Sequence, residues 1–518
     1  MPRARLGRVE SLMSRDGEGC MRRWPSGRCG RLHPSRAGLR GDPWGGRGRG
    51  RYTDPVSVTD LDARGIREGL ARREAEGRPV RVALIGAGRF GTTVAAGLGQ
   101  MPGVRLSVIC DLRQASRQMA ARAGTSGDEG RVVQGVRAEA IVAGACCLTD
   151  DLSAALSAPV DVVVEATGRT EIAARVAMRA IEAGKHVVMV TVEADVLYGG
   201  ALADRARRAG VVYTLADGDQ PATTARMVDW ARAAGYTIVA AGRGTRMHPA
   251  DPTGIPEEAF ARYGYDPEIV ERRMFNPKMY NSFRDGSKAQ IEMCALANAT
   301  GLIPDRRGMH EPSAGVADLP RLFRPAAEGG LLSRTGVVEL ANAVAADGVS
   351  LLPDHLTNGV FVVVTTDEPL LNEDLAFYRL PASEDRRYAA FWRPYHLCGI
   401  ETPMSVAEAV LFGRPTAAPS RRTVAEVLAC AKRDLPAGAV LDGSGGALVR
   451  GQIDLVEIVA GEELLPLGWA EGVTLRRAIR AGEAIPLAAV DGLPTDELAR
   501  LRTEHLALAG FGTVAGTR

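Results

Sequence analysis

At 518 residues the chain is too long for one ordinary domain, and its 46 % apolar and 24 % charged content is that of a soluble globular protein. Net charge is +2, but residues 1–51 hold thirteen arginines, no lysine and four acids, so +9 lies there and the remainder sums to −7; a mildly acidic body gives no support to nucleic acid as its partner. No window reaches the ~18 apolar residues of a bilayer span, and no apolar segment with a small-residue cleavage site opens the chain, so neither a membrane nor secretion is expected.

In chain order, residues 1–52 come first, Gly-, Arg- and Pro-rich ("RGDPWGGRGRGRY") with little to bury. They read as a disordered extension, or as the product of a start codon placed too early, since Met13 and Met21 follow. From residue 79 short β-rich runs alternate with helical ones. The strand candidates are "PVRVALIG", "VRLSVICD", "VDVVVEATG", "KHVVMVT" and "GVVYTLA"; "RQASRQMAARAG" and "EIAARVAMRAIEAG" are helical, the second ending at Gly184. Near-continuous Val/Ile/Leu strands separated by helices predict a doubly wound parallel sheet over 53–215.

After residue 216 the rhythm changes. "QPATTARMVDWARAAG" reads as a helix, "YTIVAAG" as a strand, "SKAQIEMCALANATG" as a helix and "NGVFVVVTTDEP" as a strand, which suggests an α+β domain over 216–421. The helical end of "WRPYHLCGIETPMSVAEAVLFG" is placed back on the first domain. Two similar phrases, "ACAKRDLPAGAVL" (429–441) and "RRAIRAGEAIPLAAV" (476–490), each read as strand, Pro/Gly turn, strand, giving a small β-rich domain over 422–495 and a tail over 496–518. Eight scattered cysteines, Cys20, Cys29, Cys110, Cys146, Cys147, Cys294, Cys398 and Cys430, lack CxxC or zinc spacing and read as reduced, mostly buried thiols of a cytoplasmic protein.

The first strand runs into Gly86-x-Gly88-x-x-Gly91, with Arg89 and Phe90 between the last two glycines, and a helix follows. That context gives the motif its weight. Gly86 permits the turn, Gly88 lets backbone approach a diphosphate, and Gly91 lets helix and strand pack closely, while the helix start offers N–H groups to the anion. Asp111 ends the second strand twenty residues beyond Gly91, where a carboxylate accepts from ribose hydroxyls and repels a 2′-phosphate. NAD is therefore favoured over NADP, although Arg113 lies two residues on.

"VDVVVEATG" followed by "AIEAGKHVVMVTVEAD" resembles the nucleotide domain of homoserine dehydrogenases. "LADGDQPATTARMVDWARAAGYTIVAAGRGT", "DGSKAQIEMCALANATGLIPD", "GMHEP", "EGGLLSRTGVV", "NGVFVVV" and "FWRPYHL" resemble the related deoxyxylulose-phosphate-reductoisomerase-like oxidoreductases, and the end of the chain is similar to a SAF domain. The resemblance implies a Rossmann domain with Ala166, Thr167 and Gly168 at the cofactor, a catalytic α+β domain and a SAF-like tail domain, in a homodimer working on a small anionic polyhydroxy or keto substrate. One branch converts deoxyxylulose phosphate with NADPH and a divalent metal. This chain departs from that branch by carrying Asp111 and by reading "GRGT" at 242–245, and from homoserine dehydrogenases by reading "TVEAD" after the fourth strand.

Hydride chemistry at a carbinol needs a proton carrier and positive charge for the oxyanion. Lys288 is the first candidate, with Glu292 one helical turn on as its acid–base partner. Glu193 and Asp195 follow the fourth strand, and Asp217 and Asp219 the fifth. Glu193, Asp219 and Glu292 form an oxygen-ligand set for Mg²⁺ or Mn²⁺, the alternative being helix caps and solvated turns. Arg243 and Arg334 suit an anionic substrate group. His310 and His396 are proton carriers or structural hydrogen-bonders. The reading is an NAD(P)-dependent oxidoreductase; its alternatives are deoxyxylulose phosphate reductoisomerisation and a nucleotide-binding regulator without turnover.

Overall fold

The computed structural model describes residues 63–272, 276–420 and 422–511. The arginine-rich 1–52 segment, with Cys20 and Cys29, lies outside them, as do 512–518 of the expected tail.

Helix α1 (Ala63–Ala75) leads into β1 (Val80–Ile85), α2 (Arg89–Gly99), β2 (Val104–Cys110), α3 (Gln114–Gly124), β3 (Val132–Gln134), α4 (Ala138–Val142), β4 (Cys146–Thr149) and α5 (Leu152–Ser157). Next come β5 (Val162–Glu165), α6 (Thr170–Glu182), β6 (His186–Met189), α7 (Val192–Ala209) and β7 (Tyr213–Leu215). The seven strands form one parallel sheet in the order β3-β4-β2-β1-β5-β6-β7. Its inner strands are buried along almost their whole length, as the continuous Val/Ile/Leu runs require when helices cover both faces. The chain works outward from β1 through β2, then returns to β5 on the other side. The crevice at that reversal is where such sheets bind ligands.

Beyond it stand α8 (Gln220–Ala233), β8 (Thr237–Thr245), α9 (Pro256–Arg262), α10 (Pro267–Arg272), α11 (Pro277–Arg284), α12 (Ser287–Thr300), β9 (Ile303–Pro304), α13 (Leu319–Leu322), β10 (Val337–Asn342), β11 (Val360–Thr365), α14 (Pro369–Phe377), β12 (Tyr388–Arg393) and α15 (Thr402–Phe412). Five strands form a mixed sheet, β12-β11-β8-β10-β9, with β8 parallel to β10 and antiparallel to β11. Helix α15 packs on the first sheet, where Val406 and Ala407 join the core of Val80, Leu84 and Val94.

The last part comprises β13 (Ala425–Ala431), β14 (Val449–Leu455), α16 (Val456–Gly461), β15 (Thr474–Leu475), β16 (Val490–Asp491) and α17 (Glu497–Leu508). The phrase at 429–441 is not a hairpin: β13 pairs with β14, and the two similar phrases run against each other. Leu435 and Ile479 exchange both backbone hydrogen bonds. The Gly438 N–H donates to Leu475, and that of Gly482 donates to Ala431; Leu441 donates to Val473, and Ile485 to Ala429. Each bond maps onto its counterpart by an offset of 44 residues (438 to 482, 431 to 475), so the similarity is a two-fold repeat. The expected tail contains α17, which packs on α7. One continuous apolar core runs from Ala83 and Val163 through Leu296 and Val362 to Ile453, Ile479 and Leu501. Among the described residues no helix is long and apolar enough to cross a membrane.

Candidate active site

At the switch point each motif glycine has its own steric reason. Gly86 has φ +95°, and a Cβ there would lie 2.5 Å from the Ala166 carbonyl oxygen at the end of β5. A Cβ on Gly91 would meet the Gly86 carbonyl oxygen at 2.1 Å. Around Gly88, by contrast, a Cβ would meet nothing within 4 Å; this residue caps α2, and no side chain bonds to the helix start. A turn built only to join strand and helix needs Gly86 and Gly91. The open face at Gly88 and the uncapped amino end fit a diphosphate.

Asp111 stands beside this loop. Its Oδ2 accepts the Ala87 N–H at 2.8 Å and its Oδ1 that of Arg113, also at 2.8 Å, leaving lone pairs on both oxygens for ribose hydroxyls. Arg89 is exposed and Phe90 half-buried. Ala166, Thr167 and Gly168 come together with the glycine loop. Ala166 abuts Gly86, the Thr167 N–H and hydroxyl both donate to Glu165, and the Gly168 N–H donates to Thr191 at 3.0 Å, tying the ends of β5 and β6. Burial raises the Glu165 carboxyl above its usual range despite the threonine hydrogen bonds. Sequence reasoning passed over this residue, although an acid closing an apolar strand was a signal for it.

The second cluster forms where α12 meets the carboxyl edge of the first sheet. The Lys288 ammonium, in the first turn of α12, donates to Glu193 Oε1 in the first turn of α7 at 2.8 Å, with 15 % and 23 % of their side chains exposed. Burial alone would lower the Lys288 pKa. Glu193, Glu292 and Asp219 around it outweigh that and raise it, so the lysine is held as a cation. Glu292 does not pair with Lys288 as the one-turn spacing suggested. It reaches Arg243 on β8, and burial raises it even so. Asp219 caps α8 by accepting the Gln220 N–H at 2.9 Å, and the Cys398 thiol lies 3.6 Å from the same oxygen. That thiol is held protonated by burial and then by Asp219.

The proposed metal set needs correction. Glu193, Asp219 and Glu292 do converge, but around the Lys288 ammonium, with the Arg243 guanidinium on Glu292. The cations among these carboxylates are the chain's own. Among the described residues no group of three or more His, Cys, Asp or Glu could hold a metal ion.

Other candidates disperse. Asp195 points into the core, where it accepts from the Tyr213 hydroxyl at 2.9 Å and burial raises it to about 7. Asp217 is taken by Arg226 at 2.8 Å. Arg334, half exposed, is drawn to Asp305 at 3.7 Å. His310 Nδ1 lies 2.6 Å from Glu339, which raises its pKa, and His396 Nδ1 lies 2.7 Å from the Asn358 carbonyl. Cys294 is buried beside Asn298, and the six described cysteines are free thiols. Glu311 went unnoticed in the sequence. At φ +48° it accepts from Thr245 at 2.6 Å, and burial raises it to about 7. A cavity of about 410 Å³ opens beside Glu193, bordered by Gly168, Thr170, Met279, Ser444 and Trp469.

Two family comparisons agree with this geometry. Residues 218–402 match the family described as oxidoreductase DRL, catalytic domain, and residues 86–216 match homoserine dehydrogenase, NAD binding domain. The chain is an NAD(P)-dependent oxidoreductase. Both the glycine loop and Lys288 fall inside matched segments. No curated protein matches the chain. Among solved structures, UDP-N-acetylglucosamine 3-dehydrogenase from Acidithiobacillus ferrooxidans is 13 % identical, with 65 % of this chain and 91 % of that one covered and a TM-score of 0.34. The WlbA dehydrogenase from Bordetella pertussis, in complex with NADH and UDP-GlcNAcA, is 15 % identical over 56 % and 75 %, with a TM-score of 0.32. The myo-inositol dehydrogenase from Lactobacillus casei, in complex with NAD(H) and myo-inositol, is 15 % identical over 36 % and 50 %, with a TM-score of 0.25.

Proposed function

We propose that this oxidoreductase works at a carbonyl or carbinol carbon of a small anionic polyhydroxy or keto substrate, with NAD preferred to NADP. The observation that carries the reading is the Lys288–Glu193 hydrogen bond at the carboxyl edge of the nucleotide-binding sheet. A bound nicotinamide supplies or accepts the hydride. Gly86, Gly88 and Gly91 shape the diphosphate cradle, with Arg89 and Phe90 opening the helix behind it, and Asp111 holds the adenosine ribose. Ala166, Thr167 and Gly168 border the nicotinamide half. In the direction of reduction Lys288 donates its proton to the oxygen of the reduced carbon and the resulting amine is reprotonated from solvent, with Glu193 holding it in place. In the reverse direction the amine, its proton first lost to solvent, takes the hydroxyl proton. Arg243 and Asp219 fix Glu292 and the start of α8 around that lysine.

Reductoisomerisation of deoxyxylulose phosphate would ask Glu193, Asp219 and Glu292 to hold a divalent metal. Their engagement by Lys288, Gln220 and Arg243 favours simple hydride transfer. The SAF-like tail supports α12 in this reading, since Ser287 accepts the Gly451 N–H at 2.9 Å.

The test follows reduced-nicotinamide absorbance over a panel of sugar acids and sugar phosphates, with Lys288→Met beside wild type. Loss of a proton carrier predicts a kcat lower by about 100-fold or more with NADH affinity kept. A variant with unchanged kcat removes Lys288 from the chemistry, and stabilisation by NADH without turnover on any substrate favours a regulator.

A further inference from the structure

The anionic group of the substrate has no seat on the arginines the sequence singled out, because Arg243 is paired with Glu292 and Arg334 with Asp305. Two others are differently placed. Arg246 directly follows β8, and Arg284 is the last residue of α11, four positions before Lys288. The Arg284 guanidinium donates to the Arg246 carbonyl at 3.1 Å. Both guanidinium groups stack on the Tyr263 ring, 5.0 and 4.5 Å from its centroid, and Arg284 also lies 5.2 Å from the Tyr280 ring. Stacking fixes a guanidinium in place without neutralising it.

Eight described arginines have a buried Nε with no hydrogen-bond partner: Arg73, Arg117, Arg226, Arg246, Arg284, Arg324, Arg414 and Arg502. Six of them have a carboxylate within 4.0 Å, and among the described residues Arg246 and Arg284 have none. Asp251, which bonds to the Tyr263 hydroxyl, is already engaged. It accepts from the Tyr263 hydroxyl and the His248 N–H and pairs with Arg262 at 3.3 Å. Two like charges are thus held on one tyrosine ring, each with a buried Nε that has no partner. Next to Arg246, Met247 Sδ is within 3.4 Å of where a Cβ on Gly286 would lie, which puts this pair against the start of the helix that carries Lys288.

We propose that Arg246 and Arg284 form an oxyanion seat that receives the phosphate or carboxylate group of the substrate. This rests on the proposed reading of Lys288 as the proton carrier, and it names the arginines that orient the substrate towards it. Their planar donor arrays suit an oxyanion with two or more acceptor oxygens.

Inorganic phosphate is the probe, titrated by calorimetry into the full chain with NADH saturating, so that the diphosphate cradle is filled, and again without it. The expected result is phosphate binding by wild type that weakens at least tenfold in Arg246→Gln and in Arg284→Gln, with NADH affinity and melting temperature kept. Arg284→Lys, which keeps the charge but not the fork, should fall between, and the exposed Arg122→Gln should match wild type. Equal phosphate affinity in wild type and both glutamine variants, or no binding by wild type, overturns the proposal. If NADH is not bound but phosphate still depends on both arginines, the seat stands and the cofactor reading falls alone.

Discussion

Replacing Lys432 by Met tests how the tail supports the catalytic helix. The Lys432 ammonium lies 2.7 Å from Asp285 Oδ2 with neither side chain exposed, and donates to the carbonyls of Gly254 at 3.0 Å and Gly446 at 2.5 Å. Two of its protons thus go to carbonyls, and its charge faces the carboxylate. The other oxygen of Asp285 accepts the Ser287 N–H at 2.8 Å, one residue before Lys288. Met fills similar volume but strands a buried carboxylate and two carbonyls, and breaking such a pair costs about 3–5 kcal/mol. At ~2.1 cal/mol/K per residue over roughly 450 residues, about 4 kcal/mol lowers Tm by about 4 °C. Thermal denaturation followed by circular dichroism at pH 8 reads the effect. Adding Asp285→Asn removes the stranded charge and should recover a large part of it. Because burial already raises the Asp285 carboxyl, removing Lys432 raises it further, and the deficit of the single variant shrinks as pH falls. A single variant that melts within a degree of wild type, or a double variant no better than the single, refutes the argument.

Gly88→Ala should fold like wild type, since its Cβ enters open space, yet bind NADH at least tenfold more weakly in a fluorescence titration, whereas Gly91→Ala, 2.1 Å from a carbonyl, should lower Tm by several degrees. Asp111→Ser should raise the ratio of NADPH to NADH affinity by about tenfold, equivalent to about 1.4 kcal/mol, and an unchanged ratio removes Asp111 from cofactor choice. Asp195, ordinarily near 3.8 and raised to about 7 by burial, holds a proton in the folded state that the unfolded chain has released. Its contribution is fully present below pH 3.8 and is lost as pH rises through 7, at most about 4 kcal/mol. The Tm of Asp195→Asn relative to wild type should therefore climb across that window; a flat difference contradicts the buried-acid account.

What could be read from the sequence follows how locally each element is determined. Strands β1, β2, β5 and β6 are mostly apolar, and a glycine motif or a clear helix follows the first three, so pattern alone located them. Strands β3 ("VVQ") and β4 ("CCLT") are short, and their pairing is set by partners elsewhere in the sheet. Helix α7 carries Gly199 and Gly200, which propensity counts against a helix. Both are there for close approach: a Cβ on Gly199 would lie 2.5 Å from Asp195 Oδ1, and one on Gly200 3.1 Å from His505 Nδ1 of α17. A helix 300 residues downstream dictates Gly200, and no local window contains that information.

The same separation governs the site. Lys288 was legible from its motif, but its partner was assigned by helical spacing to Glu292, and the fold gave it to Glu193, 95 positions away. Five acids and bases within reach can be neutralised in more than one pairing, and backbone placement decides among them. Arg243 on β8 claims Glu292, which frees Lys288 for the residue at the sheet edge. One charge pair lies wholly within the second sheet and its covering helix, while the other spans the two halves. Lys288 thus meets Glu193 only when α12 is docked on the first sheet, and the tail reinforces that docking through Lys432 and Asp285. Displacing α12 therefore separates Lys288 from Glu193 while leaving the glycine cradle intact, so on the proposed reading cofactor binding survives disturbances of the tail that abolish turnover.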